Sequence, residues 1–421
     1  MKINSKKVLI IYSLLYLSLL AGFYFNEDFG KGYIVDYSFD KYIADFFDKN
    51  FSEAFLNFDE LERKNAHSPV FIIFFLILQK ISFSETFARF INLHLSLLIP
   101  YFFYLSLKLK YQLKFNDIKI LLPTVIFLSP YFRSASVWLG SENISLIFLS
   151  ICIYYFLKYE SSKKKDLSYI ILTTLFLALA AYIRPIYSLF SIYFFARFYF
   201  DLKFSSKLLS YIFLNLLLAF PAIYYVFILD VNFFSLYISK GTELSNFINQ
   251  FSITIAILFF YSIPFLLINF KKNFKKNNFK IENLILSTIF LILLVFYFDY
   301  SLPYGGGIFY MLSTFAFKNY YLFYIFSLLS FSMIILIFIN SAKGKNRIFD
   351  LILILVLILL EIDQVYFHET YDPLLFFVYF LLIKNRIYLS FSERLTNKKF
   401  ILLGSFSLSF YVLSVLKTII F

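Results

Sequence analysis

The chain is poor in the residues from which soluble enzymes usually build sites. Among 421 residues there are one cysteine, one tryptophan, three histidines and three methionines, with ten glycines and nine prolines. The single cysteine, Cys152, excludes a disulfide within the chain and any site made of several thiolates. Its place inside an apolar run reads as a small core residue. Charge is scarce too: charged residues are 15% of the total, and the 26 acids are outnumbered by 39 Lys and Arg. No glycine-rich phosphate-binding motif occurs, so a nucleotide has no visible cradle.

What the chain has in abundance is apolar surface. It is 61% hydrophobic, with 62 Phe and 35 Tyr, and its mean hydropathy is +0.76. A soluble domain of this size cannot bury so much. Runs such as Val8–Phe25, Leu208–Leu229 and Tyr320–Asn340 reach the roughly 17–25 residues needed to cross a bilayer. They are continuous rather than alternating, which indicates helices and not outer-membrane strands. The expected fold class is therefore all-α, a polytopic membrane protein whose residues 1–421 form one membrane domain in contact with the bilayer. The net charge of +13 does not point to nucleic acid, because the basic residues sit in short clusters between apolar runs, as membrane orientation requires. The bias to Lys, Asn, Ile, Phe and Tyr suggests an AT-rich bacterial genome, and hence the plasma (inner) membrane.

Most of the Lys and Arg fall in clusters at 2–7, 108–119, 158–165, 197–207, 271–280, 343–347 and 384–399. Placing these on the cytoplasmic side predicts spans near 8–25, 85–107, 118–131, 143–157, 167–182, 185–200, 208–229, 251–270, 281–298, 319–340, 348–366, 371–388 and 399–418. That is about thirteen crossings, with the N-terminus cytoplasmic and the C-terminus outside. The first run is read as an uncleaved span, since no convincing small-residue cleavage site follows it. Pro69–Ile81 is too short to cross and is expected as a re-entrant or interfacial segment. The extracytoplasmic face then holds a long first loop at 26–84, a compact second loop at 131–142, a turn at Arg184-Pro185, and further loops near 230–250, 299–318 and 366–373.

Candidate functional residues gather on that face. In the first loop Phe39, Ile43, Phe46, Phe47, Phe51, Ala54, Phe55 and Phe58 recur at helical spacing, which predicts one amphipathic interfacial helix or two short ones. Asp40, Asp45, Asp48, Asp59, Glu60 and Glu62 read as its solvated face. Asp36, at the head of this helix, stands where the reactive end of a lipid-phosphate substrate meets water. His67, Ser68 and Pro69 precede the half-length segment, and His67 suits a proton carrier or metal ligand. His94, within a span, reads as a core hydrogen-bonding group. In the second loop Arg133 needs a partner, with Glu142 or a substrate phosphate expected. Arg184 has no acid nearby in sequence and suits a lipid phosphate. Gly305 to Gly307 read as a turn, and His368, Glu369 and Tyr371 as residues lining the outer rim.

This layout resembles the GT-C membrane glycosyltransferases, which include the oligosaccharyltransferase catalytic subunit, the protein O-mannosyltransferases and the aminoarabinose transferases. The resemblance covers about the first 200 residues. His67-Ser68-Pro69 looks like the His-Pro-Pro of the mannosyl and aminoarabinose transferases, and RSASVWLGSE resembles the oligosaccharyltransferase second loop with one Glu in place of paired aspartates. The resemblance implies that Asp36 activates the acceptor, that Glu142 assists it or binds metal, and that a divalent metal is an optional cofactor. It implies a transferase of the EC 2.4 class that moves a sugar from a polyprenyl-phosphate donor to a glycan, lipid or protein acceptor with inversion. With one Trp, the peptide-binding Trp-Trp-Asp motif is excluded, and peptide N-glycosylation with it. A surface-polysaccharide polymerase and a lipid-linked sugar flippase are the alternatives.

Overall fold

A computed structural model describes residues 4–30, 32–61, 68–114, 117–231, 244–268, 281–302, 305–340, 344–361 and 366–420. Among them 83% are helical and there is no strand. The all-α expectation holds. Among the described residues six helices are long and apolar enough to cross a membrane, or up to eight when two pairs bent by 64° and 86° each count as one span.

The described residues gather into two compact units, Met1–Phe234 with Thr396–Phe421, and Ser235–Leu395. In the first, α1 (Ser5–Tyr24) leads into the first loop. The loop holds α2 (Tyr33–Lys49), α3 (Phe51–Leu56) and α4 (Pro69–Lys80). Then come α5 (Glu85–Ser96) and α6 (Leu98–Tyr111), a 3-10 segment Ile118–Leu128, α7 (Pro130–Trp138), α8 (Ser141–Ser161), α9 (Leu167–Ile183), α10 (Phe190–Leu202) and α11 (Ser206–Ile223). The C-terminal helix, Asn397–Ile420, returns to pack on the 3-10 segment and on α7.

Local chemistry sets the helix ends. Asn4, Asn50, Ser68, Ser84, Ser129, Asp166 and Ser205 each accept a backbone N–H as N-caps, satisfying donors that a helix start leaves unpaired. Proline opens α4 and α7, where its missing N–H loses nothing. Within α11 Pro221 removes one ladder donor, and the helix widens into a π turn over Tyr224–Ile228.

The first loop differs from its expected form in two respects. Two helices form, broken at Asn50, but their buried face runs through Tyr33, Tyr37, Asp40, Ile43 and Phe47, while Phe46 and Phe51 are exposed. Asp40, expected on the solvated face, is 2% exposed. The reason is that this face packs on protein as well as on the interface: α2 lies against α4, with the Tyr37 and Phe75 rings 5.2 Å apart. Burial pushes the Tyr37 hydroxyl pKa up, and the nearby Glu85 carboxylate adds to that. The twelve-residue α4 is, as expected, too short to span.

In the second unit a 25-residue helix, Leu244–Ile268, is buried along most of its middle and packs against Ile281–Tyr297, Gly307–Phe317, Tyr321–Ile334, Lys345–Leu359 and Arg386–Glu393. Its few polar side chains are matched across the core. Ser262 meets the Tyr388 hydroxyl at 2.8 Å and Thr254 meets Tyr371 at 3.1 Å.

Candidate functional site

The site is built where the first two loops meet. Helix α1 ends in a Schellman turn: Glu27 N–H donates to Gly22 O at 2.8 Å and Asn26 N–H to Phe23 O at 3.2 Å, with Asn26 at φ 52°. The turn aims Glu27 into the protein, where its two oxygens each accept a 2.6 Å hydrogen bond from the Arg133 guanidinium. Arg133 also donates to the Ser18 carbonyl at 2.9 Å and lies 5.1 Å from the Tyr411 ring centre. Both charged side chains are 3% exposed. Gly22 makes this possible, since a Cβ there would stand 2.2 Å from Glu27 Oε2.

A second cation locks the same turn. Arg89 stacks 3.6 Å from the Trp138 ring centre, donates to Val137 O at 2.9 Å and reaches Asn26 Oδ1 at 2.8 Å. The Trp138 indole N–H donates to Glu27 O at 3.0 Å. Asn92 and Asn143 then hold the loop from behind by donating to carbonyls of α7.

Tyr33, 2% exposed, is wedged between two glycines. A Cβ on Gly30 would stand 3.0 Å from its ring, and one on Gly140 would stand 2.8 Å from it and 2.8 Å from Glu142 Oε2. The wedge carries the head of α2 onto the start of α8. Asp36 is one turn beyond Tyr33 and exposed in the first turn of α2, where the helix dipole favours a carboxylate.

Glu142 lies in the first turn of α8 and Arg184 is the C-cap of α9. These antiparallel helices are closely packed, so the two side chains meet, with Arg184 Nη1 3.1 Å from Glu142 Oε1. An acid at a helix N-terminus and a base at a C-terminus each complement the macrodipole. The side chains keep 16% and 11% exposure, more than the Glu27–Arg133 pair.

Pro185, the residue after Arg184, lines a cavity of about 840 Å³ to whose wall neither Arg184 nor Glu142 contributes. Leu177, Ala181 and Pro185 line it from the α9 end, Ala219, Pro221 and Tyr225 from α11, and Phe55 and Ser68-Pro69 from the first loop. Among the described residues none that lines it is charged. Two hydrogen bonds brace it: Tyr182 donates to Leu218 O at 2.5 Å and Tyr225 to Phe55 O at 2.6 Å.

The expected residues thus fall into distinct groups. Glu142 and Arg184 come together, which corrects the reading of Arg184 as a cation without an acid: sequence distance hid its partner. The expected Arg133–Glu142 pair does not form, because Glu27 reaches Arg133 first and with both oxygens. His67 and Glu62 lie outside the described residues. His94 makes structural hydrogen bonds but is half-buried and not in the core, its Nδ1 bonding Phe90 O at 2.8 Å and its Nε2 meeting the Tyr16 hydroxyl at 3.0 Å. A Nδ1–H tautomer satisfies both. The Gly305 to Gly307 turn uses its amides internally, Gly306 N–H donating to Tyr366 O and Ile308 N–H to His368 Nε2. His368, Glu369 and Tyr371 belong to the second unit. There Tyr371 is fully buried with its hydroxyl on Thr254 and Leu357 O, so it serves packing and not the lining role expected of it.

Sequence reading missed Glu27, Arg89 and Asn26. The signal was present as a Gly-x-x-x-Asn-Glu ending on the first span, and as an arginine inside the apolar ETFARFINLH. Among the described residues no three His, Cys, Asp or Glu are grouped to hold a metal ion. Comparison with family models, with curated proteins and with solved structures finds no match in any of the three.

Proposed function

We propose that the chain is a membrane glycosyltransferase that takes a sugar from a polyprenyl-phosphate donor and passes it, with inversion, to an extracytoplasmic acceptor. The observation that carries this reading is the Arg184–Glu142 pair next in the chain to Pro185, which lines a large cavity with no charged residue among the described ones that line it. An isoprenoid tail needs such a cavity, and a lipid phosphate needs a cation at its end.

In this reading the tail lies between α9 and α11 and the donor phosphate takes up hydrogen bonds from Arg184. Glu142 keeps that guanidinium oriented and screened until the donor arrives. Asp36, exposed in the first turn of α2, removes the proton of an acceptor hydroxyl. The new bond joins that oxygen to the anomeric carbon, the bond from carbon to phosphate oxygen breaks, and polyprenyl phosphate departs with its added charge held by Arg184. The thirteen-span topology, with the N-terminus cytoplasmic and this site outside, belongs to the same proposal. It rests on the basic segments 108–119, 158–165 and 197–207 lying at the far ends of α6, α8, α9, α10 and α11 from Glu142 and Arg184.

The test is sugar release from a polyprenyl-phosphate sugar by the purified protein. Wild type releases sugar, while Asp36→Asn and Arg184→Gln do not. Full activity in Asp36→Asn removes the base assignment, and movement of intact donor across a vesicle bilayer without cleavage replaces the transferase by a flippase. Cysteine introduced at Asp59 should react with an impermeant thiol reagent from outside, whereas cysteine at Lys276 should not.

A further inference from the structure

The opposite end of the first unit carries a second constellation. It lies at the far end of α8, a helix of 21 residues and so about 30 Å long. The connection from α8 to α9 and the one from α10 to α11 meet there. Segments 158–166 and 197–207 together hold seven Lys or Arg and three acids.

The acids are used internally. Glu160 pairs with Arg197, and Asp201 with Lys165 at 3.3 Å. Asp166 caps α9 by accepting the Ser168 N–H. Lys207 ties the connections together, its ammonium donating to Lys165 O at 2.8 Å and Lys164 O at 3.2 Å. Two lysines hold left-handed backbone, Lys165 at φ 47° and Lys203 at φ 50°, a conformation that ordinarily favours Gly or Asn and persists where surrounding contacts enforce it. The result is a fixed platform rather than a loose basic tail. Lys163, Lys164 and Lys203 are exposed on it, and among the described residues no acid pairs with them. Next to Lys203 stands Phe204, 84% exposed.

We infer that this platform binds the headgroup of an anionic phospholipid, with Phe204 entering the acyl boundary and Lys163, Lys164 and Lys203 facing the phosphate. Charge complementarity commits the site to an anionic headgroup, and the exposed aromatic beside it commits the source to a lipid rather than a free phosphate. The proposal stands apart from the glycosyl-transfer site at the other end.

The experiment is thermal unfolding and native mass spectrometry of the full detergent-solubilised chain, with phosphatidylglycerol, phosphatidylcholine or inorganic phosphate added. Phosphatidylglycerol should be retained and should raise the unfolding midpoint, while phosphatidylcholine and inorganic phosphate should not. Each of Lys163→Gln, Lys164→Gln and Lys203→Gln should weaken retention about fivefold, and Phe204→Ala should weaken it without altering its salt dependence. Because all three lysines are exposed, the single variants are expected to fold. Equal retention of the two lipids, an unchanged response in the lysine variants, or reproduction of the effect by inorganic phosphate would each overturn the inference.

Discussion

Two of the arginine–glutamate pairs of the first unit differ in kind. Arg133 and Glu27 share two 2.6 Å hydrogen bonds, are 3% exposed, and are wrapped by a helix-end turn, a glycine and an aromatic ring. Arg184 and Glu142 share one 3.1 Å contact and keep 16% and 11% exposure, and Pro185 beside Arg184 lines the cavity. The first pair is a structural rivet. The second leaves its cation partly exposed, and this is the cation proposed to meet a lipid phosphate. Both arginines look alike in sequence, so the lesson is that a carboxylate's geometry, and not the presence of a cation near a loop, separates a fixed charge from a usable one.

The sharpest way to break the comparison is to remove each acid or cation and read stability and activity separately. Glu27→Ala strands a buried guanidinium and should lower unfolding stability by roughly 3–5 kcal/mol, seen as a lower chemical-denaturation midpoint. Activity should fall only as far as the folded fraction falls. Arg184→Gln should do the opposite. Its cost in stability should be smaller, roughly 1–3 kcal/mol, while sugar release drops about 10²–10³-fold, as expected when a group that stabilises leaving-group charge is lost. Comparable stability losses in the two variants would erase the distinction.

A smaller effect tests whether the two loops are held together by packing. Gly140→Ala drives a methyl into the Tyr33 ring and the Glu142 carboxylate and should destabilise by about 1–3 kcal/mol. It should also raise KM more than it lowers kcat, because it displaces Glu142 and leaves Asp36 intact. The smallest expected change is in Tyr225→Phe, which removes one hydrogen bond across the cavity mouth. About 1 kcal/mol of stability should be lost, measurable by urea titration.

The all-α fold and most helix positions were legible, because apolar runs and capping residues act locally. Predicted spans at 143–157, 167–182 and 208–229 correspond to α8, α9 and the α11 segment within a few residues. Legibility failed where the outcome depended on which distant groups met. Glu27 and Arg133 are 106 positions apart, and only the Schellman turn after α1 turns the acid inward. Asp40 is an acid that reads as solvated, yet it is buried by the elements packed on α2. The face of α2 was misjudged for the same reason: Tyr33 and Tyr37 are buried by partners that the periodicity of one helix does not reveal.

The claim that Arg184 and not Arg133 is the cation offered to a lipid phosphate can be tested through the lone tryptophan. Trp138 sits in the second loop against Glu27 O and Arg89, so its emission serves as a binding signal without any added label. Titrating polyprenyl phosphate into wild type and Arg184→Gln, at matched folded fraction, should give saturable binding in the first and at least tenfold weaker binding in the second. Equal affinity in the two proteins would contradict the account.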